Sequence, residues 1–153
     1  MSMRDKITQD MKDAMKSGDK KRVSTLRLIN AAIKDKDIAA RTDGPDAGIN
    51  DAGVIELLAK MVKQRQESAA TYEQGGRPEL AAGEMEEIAI ISEYLPRQLS
   101  EDEAQAAIKA LVGEIGASGM KDMGRTMAAL KEKYSGQMDF TKASAWVKQA
   151  LAG

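Results

Sequence analysis

The sequence predicts an all-α protein with an N-terminal helical bundle of about four helices and a small C-terminal three-helix domain. Apolar residues recur at helical spacing through almost the whole chain. No segment alternates apolar and polar residues with the period of two that marks a β-strand. A helix stop and a helix start lie close together near Pro96, which divides the chain into residues 1–94, a linker at 95–99 and residues 100–153.

The boundary rests on a proline followed by a capping box. Pro96 has no N–H and disfavours helical geometry at Leu95, so the preceding helix is expected to end near Tyr94. Ser100 and Glu103 form an S-x-x-E pattern that starts the next helix. We interpret this as a domain boundary. An ordinary turn between two helices of one domain is the alternative.

The first two helices are marked by short polar and glycine signals. Ser2 is expected to begin the first helix and Gly18 to end it, while Asp19 is placed to cap the second. The second helix is apolar around much of its circumference and is predicted to be the buried centre of the bundle. Its expected inward positions are Val23, Leu26, Ile29, Ala32, Ile33 and Ile38.

A loop separates the second helix from the third. Residues 41–50 hold two glycines and a proline without periodicity, which predicts a mobile surface loop. Asn50 or Asp51 is expected to cap the third helix, and Gly75 follows its end. Pro78 suits the first turn of the fourth helix. The predicted inner face of that helix consists of Leu80, Met85, Ile88 and Ile91.

Three short helices are predicted after Ser100. The first runs to about Ile115, the second follows Gly119, and Asp139 caps the third. The predicted inner face of the second is Met123, Met127, Leu130 and Tyr134, and that of the third is Phe140, Ala143, Val147 and Leu151. Three helices of this length bury only a small core.

Composition excludes several kinds of chemistry. The 153 residues include no Cys and no His, which excludes a thiolate nucleophile and removes the commonest general base and metal ligand. No apolar run approaches the roughly 20 residues of a membrane span. The N-terminus lacks an apolar signal core, so a cytoplasmic protein is expected. A monomer without a membrane contact is expected as well. No cofactor, metal site or catalytic residue is predicted, and the acidic residues Glu84, Glu86, Glu87 and Glu93 fit a solvated helix face better than a metal site.

Charge is unevenly distributed along the chain. Residues 1–41 carry a net charge of +5, residues 42–103 a net charge of −9, and residues 104–153 a net charge of +3. Two basic ends therefore flank an acidic middle. This pattern indicates an anionic partner, although the pI of about 5.6 is far below that of a dedicated nucleic-acid binder.

The C-terminal part holds candidate nucleic-acid contacts. Lys121 and Arg125 are four residues apart on one helix face directed to solvent, and Gly124 between them allows close approach. Lys142 lies one turn before Trp146, so a base can stack on the ring while the cation meets a phosphate. Alternatively, Trp146 covers a thin core.

A second candidate patch lies at the start of the second helix. Lys20, Lys21 and Arg22 occupy its first turn, where the helix dipole disfavours cations. With Arg27 they would form an anion-binding surface. The alternative is a solvated face whose cations pair with nearby acids.

Three stretches resemble the YqeY-like family. They are Leu26-Arg27-Leu28-Ile29, Tyr94-Leu95-Pro96 with Leu99-Ser100-x-x-Glu103, and Gly119-Met120-Lys121-Asp122-Met123-Gly124-Arg125. The resemblance implies an all-helical protein whose C-terminal part is similar to the tail of the B subunit of tRNA-dependent amidotransferase, which helps to hold the tRNA. Tail positions match loosely at Lys121, Gly124, Met127 and Lys131, with the lysines as expected phosphate contacts.

Two functional hypotheses follow. The first is a non-catalytic module that binds tRNA or structured RNA through its basic C-terminal unit. The second is a protein-interaction or accessory subunit of a translation-linked amidotransferase-like complex. A carbon–nitrogen ligase activity, with glutamine as amido donor, is implied by resemblance only, and no nucleotide-binding pattern supports it.

Overall fold

The computed structural model describes residues 2–40 and 48–152. Every regular element in those ranges is helical, so the all-α prediction is confirmed. Of the predicted loop at 41–50, residues 41–47 lie outside the described residues, and residues 48–50 carry no regular structure. The helices are α1 (Met3–Ser17), α2 (Lys20–Ala40), α3 (Asp51–Gln74), α4 (Pro78–Ser92), α5 (Glu101–Glu114), a 3₁₀ turn (Met120–Asp122), α6 (Met123–Lys133) and α7 (Phe140–Ala152).

The chain divides into two compact units, Met1–Leu95 and Pro96–Gly153, called here the N-terminal and C-terminal units. The division falls within the predicted linker. Leu99 donates its backbone N–H to the carbonyl of Gln137 at 2.9 Å, and the Gln98 side-chain amide donates to the carbonyl of Gly136. The last two linker residues therefore belong to the C-terminal unit, while separability of the units stays a prediction.

Helix starts in the N-terminal unit follow the expected caps. The side chains of Ser2, Asp19 and Asn50 each accept the backbone N–H three residues on, at 3.2, 3.1 and 2.9 Å. Gly18 ends α1 with a φ of 77°, a left-handed conformation that costs glycine little. These local signals are sufficient to predict where the helices begin and end, because each one involves only residues that are close in the sequence.

The core of the N-terminal unit is aliphatic and comes from all four helices. Its fully buried members include Ile7, Leu26, Ile29, Leu58 and Ile91. They hold α1 to α4 together through apolar burial, the dominant stabilising term in folding.

Three apolar side chains that were predicted to be buried, Ile38, Leu80 and Met85, are exposed instead. Ile38 is nine residues from Ile29, which places it on the opposite face of α2, and its side chain is 48% exposed. Leu28 is also exposed, so α2 buries one stripe rather than most of its circumference. On α4, Leu80 in the first turn and Met85 face solvent, because Ala81, Ile90 and Ile91 form the buried face.

The C-terminal unit has a smaller core, and its first helix begins with a complete capping box. Ser100 accepts the Glu103 N–H at 3.1 Å, and the Glu103 carboxylate accepts the Ser100 N–H at 3.0 Å, as predicted. The buried cluster comprises Ile108, Leu111, Leu130, Ala143, Val147 and Leu151. On α6, Thr126 is fully buried while Met123 and Met127 are only partly buried, so the inner face is rotated from the predicted one.

None of the helices within residues 2–40 and 48–152 combines the length and apolarity that a bilayer crossing requires.

Candidate nucleic-acid interface

Arg125 has a structural role that the sequence did not reveal. Its guanidinium donates to the backbone carbonyl of Ile115 at 2.9 Å and lies 3.4 Å from the carboxylate of Asp122. Ile115 is the C-cap of α5, whose last carbonyls have no partner within the helix. Arg125 therefore ties the end of α5 to the start of α6, and is not the freely available cation that was expected.

The segment before α6 is fixed by Asp122 and Gly119. The carboxylate of Asp122 accepts the backbone N–H of Ser118 at 2.8 Å. This hydrogen bond is the main cause that lowers the pKa of the Asp122 carboxyl below its usual range, and the positive charge of nearby Arg125 lowers it further. Gly119 has a φ of 76° at the turn. Lys121 lies in the 3₁₀ turn rather than on α6, so it does not share a regular helix face with Arg125.

Lys121 lies in the 3₁₀ turn just before α6, and Lys131 lies in the last turn of α6. Both are exposed, and ten residues of helix correspond to a separation of about 15 Å along the axis. Gly124 lies on exposed surface, and a Cβ there would meet no atom within 4 Å. The surface around Gly124 is therefore open, although nothing in the unit itself requires a glycine.

Trp146 lies between the C-terminal core and the surface. It is partly buried against the C-terminal core, and it also lines a surface groove of about 530 Å³ between α5 and α7. Lys142 is exposed one turn before it on α7. Lys109 on α5 lines the same groove. The structure thus adds Lys109 to the predicted pair.

Gln105 and Gln149 also line this groove, from α5 and α7 respectively. Neither the glutamines nor Lys109 were identified from the sequence. The only local signal is that Gln105 and Lys109 are four residues apart and share a helix face. Which helix that face meets depends on packing.

Five lysines of the C-terminal unit are exposed, and none of them forms an ion pair among the residues that the structure describes. They are Lys109, Lys121, Lys131, Lys142 and Lys148. By contrast, Arg97 pairs with Glu103 at 2.9 Å and Lys133 with Glu114 at 3.4 Å. The unit therefore carries a distributed set of available cations rather than one cluster.

The four-residue patch predicted at the start of α2 is divided in the structure. Arg22 pairs with Glu93 at 2.8 Å, and Lys21 lies 3.7 Å from Glu87. Lys20 and Arg27 are exposed, seven residues apart on the outer face of α2. Pairing with nearby acids, the alternative considered from the sequence, accounts for half of this patch.

The acidic residues of α4 also take part in these contacts. The carboxylate of Glu87 forms an ion pair with Arg65 at 2.9 Å and also lies near Lys21. The carboxylate of Glu93, directly after α4, pairs with Arg22. Among the described residues, no three acidic side chains converge as a metal ion would require.

Comparison with protein families identifies the class of this chain. The family model described as Yqey-like protein matches residues 4–151, nearly the whole sequence. The chain therefore belongs to the YqeY-like family, and its structure is that of an all-helical module.

Curated relatives carry the name "Altered inheritance of mitochondria protein 41, mitochondrial". The protein from Kluyveromyces lactis is 32% identical over 88 residues, which cover 58% of this chain and 45% of that protein. The protein from Lachancea thermotolerans is 32% identical over 111 residues, covering 71% and 57% respectively. The chain thus spans about half the length of the curated relatives it matches. Because these relatives are named as mitochondrial, the expected cytoplasmic location is wrong.

Proposed function

We propose that the C-terminal unit binds tRNA or another structured RNA through its exposed lysines. The observation that carries this proposal is the contrast within the unit between paired and available cations. Arg97, Arg125 and Lys133 are bound to acidic or carbonyl oxygens, whereas five lysines have no such partner among the described residues. Available lysines at a surface are the groups that neutralise phosphates and release counterions.

The family relationship supports the same proposal. The C-terminal part is similar to an amidotransferase tail that helps to hold tRNA, and the resemblance matches Lys121 and Lys131 to positions in that tail. Phosphate contacts position an RNA without reading its sequence. The module would therefore hold RNA while any chemistry takes place on another protein, and we assign no catalytic role to any residue.

An accessory role in a translation-linked, amidotransferase-like complex is the second candidate. It is favoured by exposed apolar side chains on the N-terminal unit, including Met15, Leu28, Ile38 and Met85. Exposed apolar surface of this kind suits a protein partner when it is contiguous. The names of the curated relatives lead us to propose a mitochondrial setting for either role.

Titration with total tRNA at two salt concentrations tests the proposal. We expect wild-type binding to weaken steeply as salt rises. The double variant Lys121→Glu and Lys142→Glu should bind more weakly and flatten the slope of log affinity against log salt by about one to two. Arg125 is left unchanged, because its contact with Ile115 makes any substitution there a test of folding as well.

The double variant Lys12→Glu and Lys60→Glu is the matched control. Lys12 and Lys60 are exposed on α1 and α3 of the N-terminal unit, so this variant makes the same change of net charge in the other unit. Wild-type protein that fails to bind tRNA even at low salt would overturn the RNA proposal and favour the accessory role. Equal weakening by the double variant Lys12→Glu and Lys60→Glu would show that only net charge matters and would overturn the assignment of binding to the C-terminal unit.

A further inference from the structure

The groove between α5 and α7 has the chemistry of a site for one base. Its floor is apolar and includes Ile108 and Val112, while the aromatic ring of Trp146 lines it. Its volume of about 530 Å³ lies within the range of small-molecule sites, roughly 300–1,000 Å³. A flat, partly apolar ligand that stacks on an indole ring therefore fits both the size and the lining.

The polar groups of the groove favour a nucleobase over an apolar side chain. Gln105 and Gln149 approach from the two helices, and each amide offers both hydrogen-bond donors and an acceptor. Base edges present complementary donors and acceptors, whereas an aliphatic side chain presents none. Both glutamines are exposed, so a base edge would replace water as the hydrogen-bond partner of their amides.

The charge around the groove matches a nucleotide. Lys109 lines the groove, and Lys142 lies one turn from Trp146. Among the described residues, none of those that line the groove is acidic. A base stacked on Trp146 would thus have lysines on both helices available for its neighbouring phosphates.

We propose that this groove binds an unpaired base of the RNA, which stacks on the ring of Trp146. The side-chain amides of Gln105 and Gln149 form hydrogen bonds with the edge of this base. Lys109 and Lys142 contact the flanking phosphates. The ligand class is single-stranded RNA, including loops and strand ends. Bases inside a duplex are stacked on one another and do not offer their faces to a side chain. This inference rests on the proposed RNA-binding function and adds a preference for unpaired segments.

The chain offers a direct reporter, because Trp146 is its only tryptophan. The full-length protein is titrated with a short unstructured RNA strand, first alone and then annealed to its complement. We expect the single strand to quench the fluorescence of Trp146 and to bind more tightly than the duplex. Equal quenching by both forms, or by neither, would overturn the proposal.

A variant that fills the groove tests the site without removing core contacts. Ala106 lines the groove and is exposed on α5, so Ala106→Leu should block it while preserving helix propensity. We expect single-strand affinity to fall at least about fivefold, the lower range for loss of one stacked base. Ala128→Leu, an identical change at an exposed position of α6, is the matched control and should have no effect.

The outcomes separate this inference from the function on which it rests. Salt-dependent tRNA binding with unchanged Trp146 fluorescence, or with wild-type affinity in Ala106→Leu, would overturn the base site and leave the phosphate-binding proposal intact. A groove that serves a protein helix would give the same unchanged fluorescence with both RNA forms. Absence of binding by any RNA at low salt would overturn both proposals.

Discussion

In the N-terminal unit, hydrogen bonds of polar side chains join residues up to 84 positions apart in the sequence, whereas those described in the C-terminal unit span at most 38 positions. Tyr94 donates to Asp10 across 84 residues, and Arg4 reaches both Asp37 and the carbonyl of Ile49 across 33 and 45 residues. Among the described residues of the C-terminal unit, the side chain–side chain hydrogen bonds span at most 19 residues, and the Gln98 side chain reaches the carbonyl of Gly136 across 38 residues.

The difference shows that local charge alone does not identify a binding surface. Residues 1–41 carry the larger positive charge, yet Arg4, Lys21 and Arg22 are held by acidic residues of their own unit. Most lysines of the C-terminal unit are exposed without an ion pair among the described residues, and Lys12, Lys16, Lys20, Lys34 and Lys36 of the N-terminal stretch are exposed in the same way. Which cations remain without partners after folding is the more informative property.

Leu130→Ala should have the largest effect and tests whether the units are separable. Leu130 is fully buried in the small core of the C-terminal unit, and its truncation should cost about 3 kcal/mol. Thermal unfolding of the full chain, followed by circular dichroism, should show a lowered transition for this unit alone. Leu28→Ala, the same change at an exposed position, is the control. A shift of one common transition would mean that the units unfold together.

Glu87→Ala tests the long-range ion pairs of the N-terminal unit. Its carboxylate lies between Arg65 and Lys21, and the Arg65 and Glu87 side chains are only 15% and 18% exposed. Removal should cost about 2 kcal/mol, less than for a fully buried pair because some solvent remains. Urea denaturation measures the loss, and Glu86→Ala, at the adjacent exposed position, should change stability little. An equal loss of stability in Glu86→Ala and Glu87→Ala would contradict the view that the ion-paired glutamate contributes more to stability than the solvated one.

Tyr94→Phe should cost about 1–2 kcal/mol, since it removes a hydrogen bond to a charged acceptor without changing the ring. The hydroxyl lies 2.5 Å from Asp10, and burial, together with that carboxylate, raises the pKa of Tyr94. A raised pKa in the folded state stabilises the protein below the ordinary value of 10.0 and less so as the pH rises above it. Urea denaturation at pH 7 and above pH 10 measures both effects. Tyr72→Phe is the control, and an equal loss there would contradict this role for the hydroxyl.

Caps and turns could be predicted because their partners are within a few residues. Ser2, Asp19 and Ser100 each satisfy an amide three residues away, so spacing alone identifies them. Exposure near helix ends could not be predicted in this way. Leu80 has the spacing of an inward residue, yet it lies in the first turn of α4, and its side chain is 39% exposed.

The candidate site was only partly predictable for a similar reason. Trp146 and Lys142 were identifiable as helical neighbours, but the groove exists only when α5 packs against α7. The role of Arg125 depends on a carbonyl that reaches it after the chain turns through residues 116–119. Contacts made by packing require the three-dimensional arrangement, which periodicity does not provide.

Glu103→Gln should have the smallest effect, and it tests whether local contacts organise the C-terminal unit. The pKa of Glu103 is lowered to about 2, mainly by the hydrogen bond from the Arg97 side chain and next by the one from the backbone N–H of Ser100. Because this value is below the ordinary 4.5, the carboxylate stabilises the unit above about pH 4.5, and the contribution is lost as the pH falls toward 2. Thermal melts from pH 7 to pH 2 should therefore show a wild-type advantage that narrows with acid. The effect should be small, since the pair is exposed. Glu101→Gln, in the same first turn, is the control. If both variants had the same pH profile, the dipole of α5 would set the acid response, and the capping box with Arg97 would not.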